Sequence, residues 1–166
     1  MDNFCIRPAT ENDVAVIMDL IRQLAVYEKL EAMVTGSTSM MHAALFGPTP
    51  SAECVIAMES GQPVGFALYF TTFSTFLCKP GLYLEDLFVV PAQRGKGYGK
   101  RLLIHLAGIA KARDCGRFEW RVLDWNEPSI QFYKSLGAAI LPEWHLVRMT
   151  EAELAALAQA SVEKLT

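Results

Sequence analysis

The sequence lacks the residue patterns of a metal centre, a disulfide framework and a membrane span. Its four cysteines (Cys5, Cys54, Cys78 and Cys115) and three histidines are scattered and show no Cys-x-x-Cys pair or zinc-ligand spacing. Its longest apolar run, residues 64–70, is far too short to cross a bilayer. The N-terminus has no basic start followed by an apolar run, so no signal peptide is expected. We therefore expect a cytoplasmic protein with reduced thiols, no metal and no membrane association.

The sequence also has no excess of positive charge. Its net charge is −3, whereas general nucleic-acid binders usually carry a clear cationic surplus. An acidic chain is compatible with a small cationic partner. Half of the residues are hydrophobic (52%) and a fifth are charged (20%), which is the balance of a folded globular protein. A length of 166 residues fits a single domain over 1–166, with no nucleic-acid partner.

Predicted strands and helices are interspersed along the chain. Thr10, three residues before Asp13, predicts the cap of a first helix, and Thr150 with Glu153 predicts the capping box of a last one. Apolar spacing predicts helices at 14–30, 40–46, 99–114 and 126–137, and from 150 onward. β-rich runs predict strands at 4–7, 54–58, 64–70, 82–90, 118–123, 139–141 and 145–149, and residues 60–63 (SGQP) predict a hairpin between the second and the third of these. This order predicts an α/β fold with a mixed sheet.

A glycine-dense turn follows the strand at 82–90 and opens the next helix. Its glycines let the backbone approach a ligand closely, and the helix N-terminus adds unpaired N–H donors. Basic side chains supply counter-charge, so the turn suits a diphosphate, although an ordinary strand-to-helix turn with solvated basic residues would look similar. The spacing fits neither the dinucleotide fingerprint nor the P-loop. It fits Arg-x-x-Gly-x-Gly, formed by Arg94, Gly97 and Gly99.

Two carboxylates, Glu85 and Asp86, interrupt the same apolar strand. Neighbouring residues on a strand face opposite sides, so the two cannot both simply face solvent. A carboxylate in the middle of an α/β sheet is costly unless it is paired or functional. Either one of them pairs with a core arginine, or the two carboxylates have a role in catalysis or in ligand binding.

Four segments of the chain resemble the GNAT acetyltransferase superfamily. A strand followed by Arg-Gly-x-Gly-x-Gly and a helix resembles the superfamily's acetyl-CoA pyrophosphate loop, and residues 6–10 (IRPAT) resemble its typical first strand. Residues 83–89 (YLEDLFV) and 125–133 (WNEPSIQFY) closely resemble the spermidine/spermine acetyltransferase family and its thialysine-acetylating relatives. The likeness covers the chain from Phe4 to about Leu154.

The resemblance implies the GNAT fold, a single domain with a splayed central sheet flanked by helices. The sheet would separate between the strands at 82–90 and 118–123, and acetyl-CoA would lie in the gap without a metal or redox cofactor. The residues expected to contact acetyl-CoA are Phe88, Val89, Val90, Arg94, Gly95, Lys96, Gly97, Tyr98, Gly99, Lys100, Asn126 and Ser129.

The resemblance also implies catalytic and acceptor-binding residues. Glu85, acting through water, would help to remove a proton from the acceptor ammonium, because an amine attacks through its unprotonated lone pair. Tyr133 would protonate the departing CoA sulfur, unless it is merely a half-buried packing residue. Tyr27, Glu28, Glu85 and Asp86 would bind the cationic acceptor, although Tyr27 and Glu28 could equally form a solvated helix end.

Together these residues predict an acetyl-CoA-dependent N-acetyltransferase. We expect transfer to a primary amine of a diamine or polyamine, by direct attack in a ternary complex. The alternatives are acetylation of a lysine-like amino acid such as thialysine, and a non-catalytic CoA-binding module, although a pure binder would need neither Glu85 nor Tyr133. The resembling family forms dimers, so we expect a homodimer built partly from the C-terminal strands around Trp144 and Leu146.

Overall fold

A computed structural model describes residues 3–160. The chain divides between Arg121 and Val122 into two compact units, and each is described by itself. The strands within residues 3–160 are β1 (Phe4–Pro8), β2 (Glu53–Glu59), β3 (Gln62–Ser74), β4 (Lys79–Val89) and β5 (Arg117–Trp120). The α-helices within the same residues are α1 (Val14–Glu28), α2 (Thr38–Phe46), α3 (Tyr98–Ala112), α4 (Glu127–Ser135) and α5 (Glu151–Gln159).

The strands of the first unit form one open mixed sheet in the order β1-β2-β3-β4-β5. Neighbouring strands are antiparallel except β4 and β5, which run parallel. The hairpin that joins β2 to β3 turns at Ser60 and Gly61, whose φ angles of 50° and 78° suit a two-residue hairpin turn. The predicted α/β fold with a mixed sheet and flanking helices is confirmed.

The hairpin of β3 and β4 is longer than the sequence predicts. Strand β3 continues to Ser74 and β4 begins at Lys79, so the connection between them is short. The added residues pair across the hairpin, as Thr71 does with Leu82. β-branched and aromatic side chains in this stretch favour such extended pairing.

The sheet separates along β4. Strand β5 pairs with β4 as far as Leu84, which lies opposite Trp120. There β5 ends, whereas β4 continues to Val89. Within residues 3–121, no strand pairs with this edge of β4 beyond Leu84. The predicted splay is therefore present, and β5 is shorter than the strand predicted at 118–123.

Helix α1 packs its apolar stripe against one face of the sheet. The side chains of this core cluster are buried and come from α1, α2, β2, β3 and β4: Ile17, Leu20, Leu24, Leu45, Cys54, Ile56, Phe66, Leu68 and Phe88. Burying a side chain of this size contributes roughly 1.5–3 kcal/mol, before the loss of chain entropy is counted. The core thus fixes the C-terminal end of α1 beside β4, where the predicted acceptor residues lie.

The predicted cap at Thr10 holds a short 3-10 turn, Glu11–Asp13, which leads directly into α1. Asp13 Oδ2 accepts hydrogen bonds from the backbone N–H of Thr10 at 2.7 Å and from its hydroxyl at 2.8 Å. Arg7 donates to both Asp13 oxygens at 2.7 Å. The Arg7 guanidinium holds the pKa of Asp13 well below its usual range. The first strand and the first helix are therefore joined by charge-assisted hydrogen bonds.

The second unit contains α4 and α5. Asn126 caps α4 by accepting a hydrogen bond from the Ser129 N–H at 3.4 Å. Beyond the helix, Gly137 takes a left-handed φ of 91° that suits a helix C-terminus. Thr150 and Glu153 form the predicted capping box of α5.

The strands predicted at 139–141 and 145–149 are wrong. Residues 122–160 contain no strand, and the apolar side chains of the segment, such as Leu146 and Val147, are exposed. Strand preference mostly measures how a side chain packs against neighbouring strands. A short apolar pattern therefore does not form a strand when no neighbouring strand pairs with it.

Candidate active site

A β-bulge in β4 presents the two predicted carboxylates. Leu68 of β3 pairs with Asp86 and the next residue, Tyr69, pairs with Leu84, so Glu85 is the extra residue. A bulge interrupts the strict alternation of side chains and changes their direction. As a result, Glu85 is exposed while Asp86 is mostly withdrawn from solvent.

Asp86 lies in an environment that favours its protonated form. Burial raises its pKa to about 6, and the negative charges of Glu85 and Glu28 act in the same direction. The positive charge of Arg121 partly opposes this effect. We call Glu28, Glu85 and Asp86 the acidic cluster. A carboxylate with a pKa near 6 is mostly ionised at neutral pH, yet it binds a proton more readily than an ordinary aspartate.

Arg121 provides the positive charge at the acidic cluster. Its Nη2 donates to Glu85 Oε2 at 3.5 Å. Its guanidinium carbon lies 5.6 Å from the centre of the Tyr83 ring. The sequence predicted that a carboxylate here would be either functional or paired with a core arginine. The observed partner is a half-exposed arginine at the end of β5.

The end of α1 contributes Tyr27 and Glu28. Both side chains are half-buried rather than fully solvated, and burial raises the pKa of Glu28. The Arg94 guanidinium lies 4.5 Å from the centre of the Tyr27 ring, within the range of a cation–π contact. Tyr27, predicted to bind the acceptor, therefore contacts a residue of the predicted cofactor turn.

The turn between β4 and α3 has the geometry of an anion site. Gly95 and Gly97 adopt φ angles of 82° and 81°, which L side chains rarely take. A Cβ at either glycine would meet no atom within 4 Å, so open space lies above the turn. Gly97 is the N-cap of α3 and supplies no side-chain oxygen to the first N–H groups of that helix. These donors and the open space fit a phosphate group.

The basic residues of the turn are not equivalent. Arg94 Nε donates to the Val89 carbonyl oxygen at 3.1 Å, which ties the turn back to the end of β4. Lys96 Nζ donates to both carboxylate oxygens of Glu59, at 2.9 and 3.0 Å. The Tyr98 hydroxyl also donates to Glu59. Lys96 was predicted to meet the cofactor, and Glu59 already neutralises its charge.

The remaining predicted residues are distributed between the two units. In the first, Phe88 and Val89 are buried at the end of β4, Val90 follows them, and Gly99 and Lys100 lie in the first turn of α3. In the second, Asn126, Ser129 and Tyr133 belong to the capped helix α4. Asn126 is buried, whereas Ser129 and Tyr133 are half-buried. Tyr133 follows Asn126 by about two helical turns, so both lie on one face of α4.

Within residues 3–160, no three His, Cys, Asp or Glu side chains form a group that could hold a metal ion. In the same part of the chain, no helix is long and apolar enough to cross a membrane.

A sheet that splays beside a glycine-rich anion turn is typical of acyltransferases that use CoA thioesters. The sequence model of the acetyltransferase (GNAT) family matches residues 19–138, and the chain belongs to this family. GNAT acetyltransferases use acetyl-CoA as co-substrate. The chain is therefore an N-acetyltransferase, as the sequence predicted.

Individual relatives agree with this assignment. A thialysine N-epsilon-acetyltransferase from Sus scrofa is 38% identical over 159 residues, which cover 89% of this chain and 93% of the relative. Spermidine/spermine N(1)-acetyltransferase-like protein 1 from Homo sapiens is 37% identical over 93% of this chain, which spans 24% of that protein. An integron cassette protein from V. cholerae superposes with a TM-score of 0.80 at 27% identity, covering 95% of this chain and 99% of its own.

Two residues of the candidate site were missed at the sequence level. Glu59 lies in β2, far in sequence from the lysine that it binds, and no local pattern pointed to it. Arg121 lies within the strand predicted at 118–123, but only the observed strand register places it beside Glu85. Because Leu84 pairs with Trp120, Glu85 and Arg121 occupy the next position on each strand.

Proposed function

We propose that this N-acetyltransferase transfers the acetyl group of acetyl-CoA to a primary amine of a small cationic acceptor. One observation carries the proposal: β4 bears Glu85 and Asp86 and then runs directly into the anion turn. A cationic acceptor attracted to the acidic cluster and a diphosphate held at the turn would meet along the same strand. The relatives named for thialysine and for spermidine/spermine, all of which carry primary amines, support an acceptor of this kind.

Two classes of acceptor fit the proposal. Diamines and polyamines are the first, because the acidic cluster offers negative charge to every ammonium group of such a molecule. Basic amino acids are the second, and the 38% identity to a thialysine acetyltransferase favours them. Either class should outrank arylamines, acidic amino acids and amines with no further charged group, because these offer no cationic group beyond the amine that is acetylated or carry carboxylates that the cluster repels.

Acetyl-CoA would be held by three sets of residues. The main chain of Phe88, Val89 and Val90 would lie beside the thioester, and the turn from Arg94 to Lys100 would bind the pyrophosphate. Asn126 and Ser129 of α4 would contact the pantetheine arm. The support for the turn is its geometry, since left-handed glycines and an uncapped helix start present donors to open space.

Proton removal from the acceptor falls to the carboxylates of β4. Glu85 is the proposed base, acting through water, because the bulge turns it toward solvent. Asp86 is the second candidate, since its pKa of about 6 lies close to neutral pH. Once the ammonium has lost its proton to this base, the amine lone pair can attack the thioester.

Tyr133 is the proposed acid. The nitrogen forms a bond to the acetyl carbon while the carbon–sulfur bond breaks, and the sulfur leaves as a thiolate that takes a proton from Tyr133. The nitrogen then loses its second proton, which passes through water to restore Tyr133, and the first proton is released from the carboxylate to solvent. Thiols have a reference pKa near 8.5, so protonation of the sulfur helps without being indispensable. Tyr133→Phe should lower turnover by roughly 10²- to 10⁴-fold and leave acetyl-CoA affinity nearly intact. Wild-type turnover in this variant would make Tyr133 a packing residue.

A panel of amines assayed with acetyl-CoA tests the function directly. It should include diamines, polyamines, ornithine, lysine, thialysine, a neutral amine and an arylamine, with the acetylated product identified by mass spectrometry. We expect acetylation of the cationic amines, weakened by added salt because the attraction is electrostatic. A clear preference for arylamines or neutral amines would contradict the proposal, and no product from any amine would favour a CoA-binding module.

Assembly, domain organisation and location remain proposals. A homodimer is supported by the exposed apolar side chains of the segment before α5, including Trp144 at 73% and Leu146 at 62% exposure. The predicted interface of C-terminal strands is replaced by this irregular segment. Light scattering should give twice 18.4 kDa at micromolar concentration, and a species of 18.4 kDa alone would contradict the dimer.

We also propose that residues 1–166 form one domain and that the protein is located in the cytoplasm.

A further inference from the structure

Arg121 and Glu85 lie where β4 and β5 separate. Leu84 and Trp120 form the last pair of the two strands, so the ion pair follows immediately on both. Strand β5 ends at this point, and the Arg121 side chain reaches Glu85 at 3.5 Å across the opening. A positive charge therefore borders the acidic cluster on the side where the strands diverge.

The hydrogen bond from Arg121 to Glu85 is single and long, and Arg121 also interacts with the Tyr83 side chain, so its guanidinium is not closed on one carboxylate. Arg113 shows what a closed pair looks like in this protein, since it donates to both oxygens of Glu53 at 2.6 and 2.7 Å. Arg121 approaches its carboxylate through Nη2 at 3.5 Å, and both side chains of that pair are about 40% exposed. A planar guanidinium binds carboxylates best through two parallel N–H donors. Arg121 thus retains the donor geometry for a second carboxylate.

The position of this charge affects the two acceptor classes in opposite ways. A diamine would bring its second ammonium toward a guanidinium, and like charges repel. A basic amino acid carries the same second ammonium, but the carboxylate attached beside it is attracted to Arg121 and offsets that repulsion. Glu85 precedes Phe88 by three residues, roughly 10 Å along an extended strand. An extended lysine-like molecule has a similar length. Its reacting amine could therefore lie beside Phe88 while the Arg121 side chain reaches its carboxylate.

We propose that Arg121 selects acceptors that carry a carboxylate, so that basic amino acids are preferred over diamines of the same length. The inference rests on the proposed function, because it requires the reacting amine to meet acetyl-CoA beside Phe88 while the other end of the acceptor lies at the acidic cluster. Arg121 binds the substrate in this scheme and takes no part in proton transfer. Its effect should therefore fall mainly on KM.

Matched acceptors that differ by a carboxylate test the proposal. Ornithine is compared with putrescine, and thialysine with bis(2-aminoethyl) sulfide, for wild type and for Arg121→Gln. The ratio of kcat/KM between the members of each pair is measured. We expect Arg121→Gln to lower the ratio of amino acid to diamine by roughly 10- to 100-fold, the size of a lost charge-assisted hydrogen-bond pair. The loss should appear as a higher KM for the amino acid.

Arg117→Gln is the matched control. Arg117 lies on the same strand and pairs with Glu119 at 2.8 Å, away from the acidic cluster. Both acceptors are assayed on one preparation, so any loss of folded protein cancels in the ratio. An unchanged ratio in Arg121→Gln, or an equal change in Arg117→Gln, would overturn the role of Arg121 while leaving the acetyltransfer intact. No acetylation of any of the four acceptors by wild type would overturn the proposed function and this inference with it.

Discussion

The anion turn and the acidic cluster both depend on β4, and they are built in different ways. The turn is made from consecutive residues, and its donors are backbone N–H groups held by the conformation of Gly95 and Gly97. The acidic cluster brings Glu28 from α1 next to Glu85 and Asp86, and it is bordered by a cation from β5. A local sequence motif therefore forms the proposed acetyl-CoA site, whereas tertiary contacts set the charge of the proposed acceptor site. The predictions below separate the two sides.

The largest effect is expected at the turn. Gly97→Asp would force an L side chain into a left-handed conformation and place a carboxylate where phosphates approach. We expect the dissociation constant of acetyl-CoA, measured by calorimetry, to rise by on the order of 1,000-fold or more. Gly108→Asp is the control, because Gly108 is an exposed glycine of the same helix with no atom within 4 Å of an added Cβ. Unchanged acetyl-CoA affinity in Gly97→Asp would show that the turn is not part of the acetyl-CoA site.

The next effect should appear in the pH dependence of acetyl transfer. In wild type, kcat/KM for the acceptor should fall as pH drops through about 6, because Asp86 then becomes protonated. Asp86→Asn should abolish this inflection and lower kcat/KM by on the order of 100-fold. Glu85→Gln removes the proposed base, so kcat/KM should fall in this variant as well. It also removes a negative charge that raises the Asp86 pKa, so the inflection should move to lower pH.

Acetyl-CoA affinity serves as the control for these two variants, and it should stay unchanged in both. An inflection near pH 6 that persists in Asp86→Asn would assign it to another group. If the pH profile of kcat/KM did not move in Glu85→Gln, the predicted electrostatic coupling between the two carboxylates would be wrong.

A smaller effect should appear in stability, with the opposite sign to activity. The folded-state pKa of Asp86 is raised to about 6, above the unfolded value near 3.9, so folding disfavours the ionised form. The contribution of Asp86 to wild-type stability should therefore decrease as pH rises from about 4 to about 6. At pH 7.5, Asp86→Asn should be more stable by roughly 1–2 kcal/mol in urea unfolding, and the gain should vanish below pH 4. If Asp86→Asn were less stable than wild type at pH 7.5, burial would not be the cause of the raised Asp86 pKa.

The smallest effect is expected at Lys96. Its ammonium already binds both oxygens of Glu59 at a largely exposed position, so its net contribution to phosphate binding should be small. Lys96→Ala should weaken acetyl-CoA binding by about 2- to 3-fold. A loss of acetyl-CoA affinity comparable to that in Gly97→Asp would show that the Lys96 side chain, and not the backbone, makes the main contribution to phosphate binding at the turn.

Elements with strong local signals were predicted well, and those that need a distant partner were not. The cap at Thr10, the hairpin at Ser60 and the glycine turn each follow from residues close in sequence. The strands predicted at 139–141 and 145–149 failed because apolar side chains do not supply the neighbouring strand that a ladder needs. Strand β5 was predicted too long for the same reason, since its pairing ends where β4 diverges.

By itself the sequence determined the family, the position of the anion turn and the presence of two carboxylates in β4. Each depends on residue types at fixed short spacings, and backbone conformation translates such spacings directly into geometry. The tertiary structure decided that Glu85 is the bulged residue, that Asp86 has a pKa of about 6 and that Arg121 borders the acidic cluster. Electrostatic effects depend on distances through space and on burial, and the chain acquires both when separate elements pack together.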